Sequence, residues 1–252
     1  MTDPRDSRAP SVVLLDIEGT TTPIAFVHEI LFPFARTHVR DFLRVHSGAP
    51  EVREAVRLLA AEHAGDVAGG ERPPAWTPGG SGEALVPYVA WLMDRDRKSP
   101  GLKLLQGLIW EEGYQAGQLR GQVYPDVPPA IRRWHAAGRR VAIYSSGSEI
   151  AQRRLFQSTE HGDLTPLIDR FFDTAVGAKV AAASYTRIAD ALGVAPSSVL
   201  FVSDVTRELA AAREAGTAVV LSLRPGNQPQ TDAGAYRSVR SFDELSFVFD
   251  AK

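Results

Sequence analysis

Four apolar residues, Val12–Leu15, run without a break into the acidic turn DIEGT at residues 16–20. A short apolar run that a turn ends is typical of a strand buried on both faces, as in a parallel sheet. In open α/β sheets, ligands bind beyond the carboxyl ends of the strands. The sequence therefore predicts that Asp16 and Glu18 lie where a ligand would bind, and their alternation with Ile17 lets both face one side of an extended segment.

After residue 124 the chain alternates helical patterns with short apolar runs. Ser241, with Glu244 three residues later, is a capping-box signal for a last helix. Alternating strands and helices indicate a parallel sheet with right-handed crossovers, so we predict an α/β fold with a Rossmann-like core. The predicted strands after the first are 140–144, 171–176, 199–202 and 218–223, and the predicted helices are 127–137, one from 149 onward, 180–192 and 206–215.

The intervening residues 24–123 carry helical spacing instead. Amphipathic patterns cover 25–45, where we expect Pro33 to interrupt the helix, then 51–63, 84–93 and 102–119. A Gly- and Pro-rich stretch at 65–82 predicts a loop. We therefore predict a helical cap (24–123) inserted into an α/β core of residues 11–23 and 124–252, with residues 1–10 as a disordered tail.

Composition and charge exclude several classes of protein. The 252 residues carry a formal net charge of −2 and no cysteine. This charge gives no electrostatic case for binding nucleic acid or an anionic membrane, and the lack of cysteine excludes disulfides, thiolate metal sites and a cysteine nucleophile. No stretch approaches the ~20 apolar residues of a membrane helix, and the first residues lack the apolar segment of a signal peptide. We expect a cytoplasmic protein and, because no symmetric apolar seam is evident, a monomer.

Polar side chains are placed at the ends of three predicted strands. Each has an ordinary structural explanation, since the serines or Asp204 could cap the next helix and Lys179 could be a solvated surface lysine. Several such placements at one edge of a sheet are harder to explain in that way. Together they would supply carboxylates for a hard cation such as Mg²⁺, hydroxyl donors and a positive charge. They are Asp16 and Glu18 after the first strand, Ser145 and Ser146 after the second, Asp204 after a later strand, and Lys179 at the helix before that strand.

In this order the motifs resemble those of the haloacid dehalogenase-like phosphatases. The segments LLDIEGTTTPIAFVHEILFPFA, DRKSPGLKLLQGLIWEEGY, IYSSGSEIAQRRLF and LFVSDVTREL are similar to one branch of that superfamily, the enolase-phosphatases or acireductone synthases of methionine salvage. The match runs from about residue 12 to residue 227 and includes the predicted cap. Glu18 stands where the superfamily usually has a second Asp. Two features depart from the pattern of this branch: Ala210 stands where an Asp is common, and the loop at 65–82 looks longer.

The resemblance implies a role for each acidic residue at the strand ends. Asp16 would attack phosphorus, form an aspartyl-phosphate and bind one Mg²⁺ per subunit. Glu18 would contact Mg²⁺ through its carbonyl and protonate the leaving oxygen, and Asp204 would complete the metal shell.

The remaining site residues would hold the phosphate. Ser145 and Ser146 would donate hydrogen bonds to its oxygens, and Lys179 would act as a point charge beside Asp16. Phosphoryl transfer depends mainly on positioning and charge stabilisation, which these groups would supply.

The reaction that the resemblance implies has two halves, enolisation of 2,3-diketo-5-methylthiopentyl-1-phosphate and its dephosphorylation to the acireductone 1,2-dihydroxy-3-keto-5-methylthiopentene. The sequence does not identify the base for enolisation. Two other functions stay open: a phosphatase for another small phosphorylated metabolite, and a non-catalytic binding protein with this fold. The candidates for the base are Glu18 and, from the cap, His28, Glu29, Arg97 and Lys98.

Overall fold

The computed structural model describes residues 10–77 and 82–245, and in this part of the chain a six-stranded, wholly parallel sheet forms with the order β3-β2-β1-β4-β5-β6. β1 lies in the middle, with Leu15 level with Ile143 of β2 and Val202 of β4. The predicted α/β fold with a parallel sheet is thus confirmed. The strands are β1 (Val12–Leu15), β2 (Arg140–Tyr144), β3 (Arg170–Phe172), β4 (Val199–Ser203), β5 (Ala218–Ser222) and β6 (Ser238–Val239).

The described residues form two compact units, and the unit that holds the sheet comprises the chain up to Phe26 and from Arg120 onward. Its core on one side of the sheet is aromatic, because Tyr144, Tyr185 and Phe201 pack together with ring centroids 5.0–6.5 Å apart. All of β1 is buried, as its unbroken apolar run predicts. The helices of this unit are α5 (Val127–Ala136), α6 (Glu149–Gln157), α7 (Ala182–Leu192) and α8 (Thr206–Glu214).

The second unit, Val27–Leu119, is helical. In it α2 packs against α4, and Trp110 of α4 donates its indole N–H to the carbonyl of Leu31 over 2.7 Å. Its bounds differ by three or four residues from those predicted for a cap, and the cap role itself stays a prediction. The helices are α1 (Phe32–His46), α2 (Pro50–Ala68), α3 (Val86–Met93) and α4 (Pro100–Gln115), preceded by a π-helical turn at Phe26–Leu31.

One prediction for the helical unit agrees with the structure and one is wrong in detail. Where an interruption is predicted at Pro33, the π-helical turn Phe26–Leu31 gives way to α1, and Pro33 lies in the first turn of α1. The loop predicted from residue 65 begins later, because α2 continues to Ala68. Asp66 is buried there and accepts hydrogen bonds from Tyr88 (2.8 Å) and Arg97 (2.5 Å), which hold the last turn of α2. Residues 78–81 of this loop, and residues 1–9 of the predicted tail, lie outside the described part of the chain.

The sheet unit also departs from the sequence prediction at three points. β3 ends at Phe172, because the chain turns at Asp173, whose carboxylate accepts the N–H of Ala175 over 2.8 Å. The last predicted helix is a single 3₁₀ turn, Phe242–Glu244, although its capping box is present. β6 was not predicted at all.

None of the helices within 10–77 and 82–245 is both long enough and apolar enough to cross a membrane.

A buried ion pair joins four separate segments of the sheet unit. Arg224, just beyond β5, donates to both carboxylate oxygens of Asp126 over 3.0 and 2.8 Å and to the carbonyl of Thr20 over 3.2 Å. Asp126 also accepts the backbone N–H of Phe242 over 2.6 Å. Burial would raise the pKa of Asp126, but the Arg224 guanidinium and the Phe242 N–H outweigh burial and hold this pKa below its usual value.

Asp126→Asn should therefore lower the free energy of unfolding by about 3 kcal/mol at pH 7, since it leaves a buried guanidinium unpaired. The pKa of Asp126 is lower in the folded than in the unfolded state, so the carboxylate stabilises the fold above the unfolded pKa. This contribution disappears as pH falls through the folded pKa. Denaturant titrations from pH 7 downward should show the difference between variant and parent shrinking.

Asp94→Asn is the matched control, because Asp94 pairs with Arg36 over 2.7 Å at the surface, where solvent screens such pairs and they contribute little to stability. An equal loss of stability in the two variants would contradict the assignment of Asp126 as a buried anchor.

Candidate active site

Asp16 is the first residue beyond the central strand, and its carboxylate is almost enclosed, with 4% of the residue exposed. Its Oδ1 accepts the N–H of Ile17 over 2.7 Å and lies 2.7 Å from Nζ of Lys179. Its Oδ2 lies 3.2 Å from the hydroxyl of Ser203, which ends β4. Asp16 beyond β1, Ser203 of β4 and Lys179 before α7 thus meet at the carboxyl edge of the sheet.

Lys179 is not a surface lysine but bridges two buried carboxylates. Its Nζ lies 2.7 Å from Asp16 Oδ1 and 2.7 Å from Glu208 Oε2. Tyr185 of α7 donates its hydroxyl to the carbonyl of Lys179 over 2.6 Å and so fixes the backbone at this point. Burial acts to lower the pKa of Lys179, but the charges and hydrogen bonds of the two carboxylates outweigh it and raise the pKa.

Glu208, which completes this bridge, is one of the side chains that the sequence does not predict for the site. It lies in the first turn of α8, directly after β4, and also accepts a hydrogen bond from Ser203 over 2.9 Å. Burial and the nearby charge of Asp16 raise the pKa of Glu208. An acid in the first turn of a helix is favoured by the helix dipole alone, so the sequence offers no signal that separates this role from simple helix stabilisation.

Asp204 faces the turn after β1 and does not cap a helix. The residue before α8 is Val205, and no side chain caps the helix there. Gly19 has φ = +66°, and a Cβ on it would overlap Asp204 Oδ2 and lie 2.7 Å from Asp204 Cγ. Burial, followed by the negative charge of Asp16, raises the pKa of Asp204 to about 7.

The turn that carries Glu18 is compact. The backbone N–H groups of Thr20, Thr21 and Thr22 all donate to the carbonyl of Ile17, over 3.2, 2.9 and 2.9 Å. Glu18 itself is half-buried, and its backbone forms an isolated parallel bridge with Thr22. The carbonyl that is predicted to face a metal therefore belongs to a backbone segment that hydrogen bonds hold in place.

The two serines beyond β2 differ in exposure. Ser145 is buried and accepts the N–H of Gly147 over 3.3 Å, whereas Ser146 is exposed. Neither caps α6, because Ser148 does so by accepting the N–H of Ala151. Gln152, which the sequence did not suggest, donates to the carbonyls of Gly147 and Phe172, both over 2.9 Å, and so anchors this loop.

The donors that the sequence predicts for Mg²⁺ are the carboxylates of Asp16 and Asp204 and the carbonyl of Glu18. Within 10–77 and 82–245, no group of three or more His, Asp or Glu side chains could hold a metal ion. Mg²⁺ is usually bound by one or two carboxylates and keeps several waters, so two carboxylates and a carbonyl fit this ion. Burial and the negative charge of Asp16 raise the pKa of Asp204, and a cation bound at this point would favour its ionised form.

The residues suggested as bases from the helical unit lie at its surface or in local pairs. His28 and Glu29 are exposed. Arg97 is bound to Asp66, and Lys98 pairs with the exposed Asp96 over 3.1 Å. The structure gives none of these four a feature that marks it as a base.

The chain was compared with known proteins. The family model of haloacid dehalogenase-like hydrolases matches residues 10–216. Enolase-phosphatase E1 of Synechococcus elongatus is 52% identical over 235 residues, which cover 93% of this chain and 97% of that protein. The chain belongs to the haloacid dehalogenase-like hydrolases, in the enolase-phosphatase family. Enolase-phosphatase E1 of Acidiphilium cryptum is 49% identical and covers 86% of each chain.

Further similarities support this family. The chain is 44% identical to a probable bifunctional methylthioribulose-1-phosphate dehydratase/enolase-phosphatase E1 of Zea mays. The matched region covers 92% of this chain and 46% of the maize protein. Among solved structures, the UTR4 protein of Saccharomyces cerevisiae is similar with a TM-score of 0.74 and 35% identity, over 93% of this chain and 99% of that one. The resemblance seen in the sequence is thus confirmed, and the protein is a phosphatase-type enzyme.

The positive φ of Gly19 and its approach to Asp204 predict that Gly19→Ala is more damaging than an ordinary glycine substitution. A non-glycine residue in the left-handed region costs about 1–2 kcal/mol, and here the added Cβ would also displace Asp204. Phosphate release should fall by about 100-fold or more, because displacements of about 1 Å in a site cost that much.

Gly193→Ala is the matched control, because Gly193 has φ = +68° and nothing within 4 Å of an added Cβ. Gly193→Ala should lose only the stability that a non-glycine residue costs in the left-handed region, and it should keep its turnover. Equal turnover in the two variants would contradict the close approach of Gly19 to the site.

Proposed function

We propose that this chain is a Mg²⁺-dependent enolase-phosphatase of methionine salvage. It would convert 2,3-diketo-5-methylthiopentyl-1-phosphate to the acireductone 1,2-dihydroxy-3-keto-5-methylthiopentene and phosphate. The observation that supports it most is the pair of 2.7 Å contacts from Lys179 to Asp16 and Glu208, at the same sheet edge as Asp204 and Ser145. A cytoplasmic location and a monomeric state remain predictions of the sequence.

Asp16 is the proposed nucleophile. Its carboxylate oxygen attacks phosphorus, the bond from phosphorus to the substrate oxygen breaks, and Glu18 gives a proton to the leaving oxygen. Water then attacks the aspartyl-phosphate, releases phosphate and regenerates the carboxylate. Because Ile17 N–H, Lys179 and Ser203 all contact Asp16, its carboxylate is held in one orientation before substrate arrives.

The groups around Asp16 compensate the negative charge of the substrate phosphate. Asp16, Asp204 and the Glu18 carbonyl would hold Mg²⁺, which when bound neutralises phosphate charge that a carboxylate nucleophile would otherwise meet. Lys179 supplies a fixed positive charge next to the attacking oxygen, and its raised pKa keeps it protonated through the neutral range. Ser145 and Ser146 donate to phosphate oxygens.

Asp16→Asn is the decisive variant for this function, because an amide is no nucleophile towards phosphorus while its size and most hydrogen bonds are kept. The experiment supplies the diketo phosphate with Mg²⁺ and follows ultraviolet absorbance of the enol together with release of phosphate. The parent protein should show both signals, chelation of Mg²⁺ should remove phosphate release, and the variant should keep its fold by circular dichroism while phosphate release is lost.

The same assay distinguishes the alternative functions. Hydrolysis of a generic aryl phosphate without turnover of the diketo phosphate would favour a phosphatase for another metabolite. No Mg²⁺-dependent release from either compound would favour a non-catalytic binding protein. Phosphate release by Asp16→Asn at the parent rate would contradict the assignment of the nucleophile.

We further propose that the helical unit acts as a cap domain that recognises the methylthio-alkyl end of the substrate. Amphipathic helices supply the apolar contacts that suit a thioether, and closure of a cover would exclude water from the chemistry. The unit would then determine substrate preference rather than the phosphoryl-transfer step.

Lys98→Ala should therefore lower turnover of the diketo phosphate more than turnover of a small generic phosphate. The lysine is 83% exposed, so its loss should leave the fold unchanged. Arg57→Ala is the matched control, since Arg57 is a 66% exposed basic residue of the same unit that pairs with Glu54. If Lys98→Ala lowers both activities by the same factor, Lys98 has no part in specificity.

A further inference from the structure

Asn227 lies in the loop that follows β5 and holds the turn that carries Gly19. Its amide nitrogen donates to the carbonyl of Gly19 over 2.9 Å and to the carbonyl of Ser222 over 3.1 Å. Both acceptors are carbonyl oxygens, so both contacts need the NH₂ group of the amide. The amide orientation is therefore determined, and its oxygen, Oδ1, must point the other way.

This oxygen faces the proposed metal ligands. A Cβ on Gly19 would lie 2.7 Å from Asn227 Oδ1 and would overlap Asp204 Oδ2, so the two oxygens lie on the same side of Gly19. Asn227 Oδ1 is buried, and it has no hydrogen-bond donor among the described residues. Leaving a buried acceptor unsatisfied is unfavourable, which indicates that a donor is bound there in the working enzyme.

A water on a divalent cation is the donor that fits this position. Mg²⁺ keeps several waters when only one or two carboxylates bind it, and such waters direct both hydrogens outward. Outer groups that accept these hydrogens orient the inner ligands and tune the affinity of the site. We propose that Asn227 is a positioning residue of the metal site, whose Oδ1 accepts a hydrogen bond from a water bound to Mg²⁺. This inference rests on the proposed function, in which Asp16 and Asp204 bind that ion.

The turn after β1 does not depend on Asn227 alone for its support. The carbonyl of Gly19 has a second donor, the hydroxyl of Ser222 at 3.1 Å, and the next carbonyl, that of Thr20, is held by Arg224. The turn therefore has support that does not involve Asn227. Because other side chains also hold this turn, an experiment can distinguish a purely structural role of Asn227 from a role at the metal site.

The experiment measures Mg²⁺ binding to the full chain by isothermal titration calorimetry, without substrate. Asn227→Ala removes the oxygen and both donors. Asn227→Asp keeps an acceptor oxygen at this position but cannot donate to either carbonyl. Ser222→Ala removes a hydrogen bond to the Gly19 carbonyl and leaves the oxygen of Asn227 in place, so it is the matched control. Denaturant unfolding without Mg²⁺ reports the structural contribution of each side chain.

We expect Asn227→Ala to weaken Mg²⁺ binding about tenfold or more, the range of such outer contacts, and Ser222→Ala to weaken it clearly less. Asn227→Asp should bind Mg²⁺ more tightly than Asn227→Ala, even where its metal-free stability is lower. The inference is overturned if Asn227→Ala binds like the parent, if Ser222→Ala is equally weak, or if Asn227→Asp is as weak as Asn227→Ala. A parent protein that binds no Mg²⁺ would overturn the metal assignment of the proposed function as well, whereas normal binding in the parent and in Asn227→Ala overturns this inference alone.

Discussion

The buried bridge from Asp16 through Lys179 to Glu208 is the interaction on which the sheet edge depends. Three ionisable groups are enclosed there, and each carboxylate lies 2.7 Å from the lysine Nζ. The desolvation of buried ions is costly, so this arrangement contributes little to stability by itself. Its value is geometric, because an ammonium between two fixed carboxylates holds the nucleophile in one position.

The bridge also explains why the topology matters. Asp16 follows β1, Glu208 begins the helix after β4, and Lys179 comes from the segment before α7, so sequence separations of up to 192 residues close on one point. A parallel sheet brings the carboxyl ends of its strands to one edge. In the order β3-β2-β1-β4, β4 lies next to β1, and β3, which precedes Lys179, lies on the far side of β2. The hydroxyl of Ser203 then links Asp16 and Glu208 a second time.

Much of this arrangement could be predicted because buried parallel strands have a strong local signal. β2 was predicted with its observed bounds, and β1, β4 and β5 to within one residue, since each is an unbroken apolar run next to a turn. β6 could not be predicted, because two residues at the edge of a sheet carry no apolar pattern. Glu208, Gln152 and Asn227 were missed for another reason: they act through contacts with backbone groups or charges distant in the sequence, and short-range patterns do not encode those contacts.

The anchoring of the turn after β1 by Arg224 and Asn227 has a consequence for synthesis of the protein. Every predicted site residue, Asp204 included, is translated before residue 222. The carbonyls of Gly19 and Thr20, however, accept hydrogen bonds from side chains at 222, 224 and 227. Arg224 is itself held through Asp126 to the backbone of Phe242. A nascent chain that has emerged only as far as α8 would thus contain all the chemical groups without the geometry. Competence for turnover therefore requires the segment that follows α8, because its side chains hold the turn after β1.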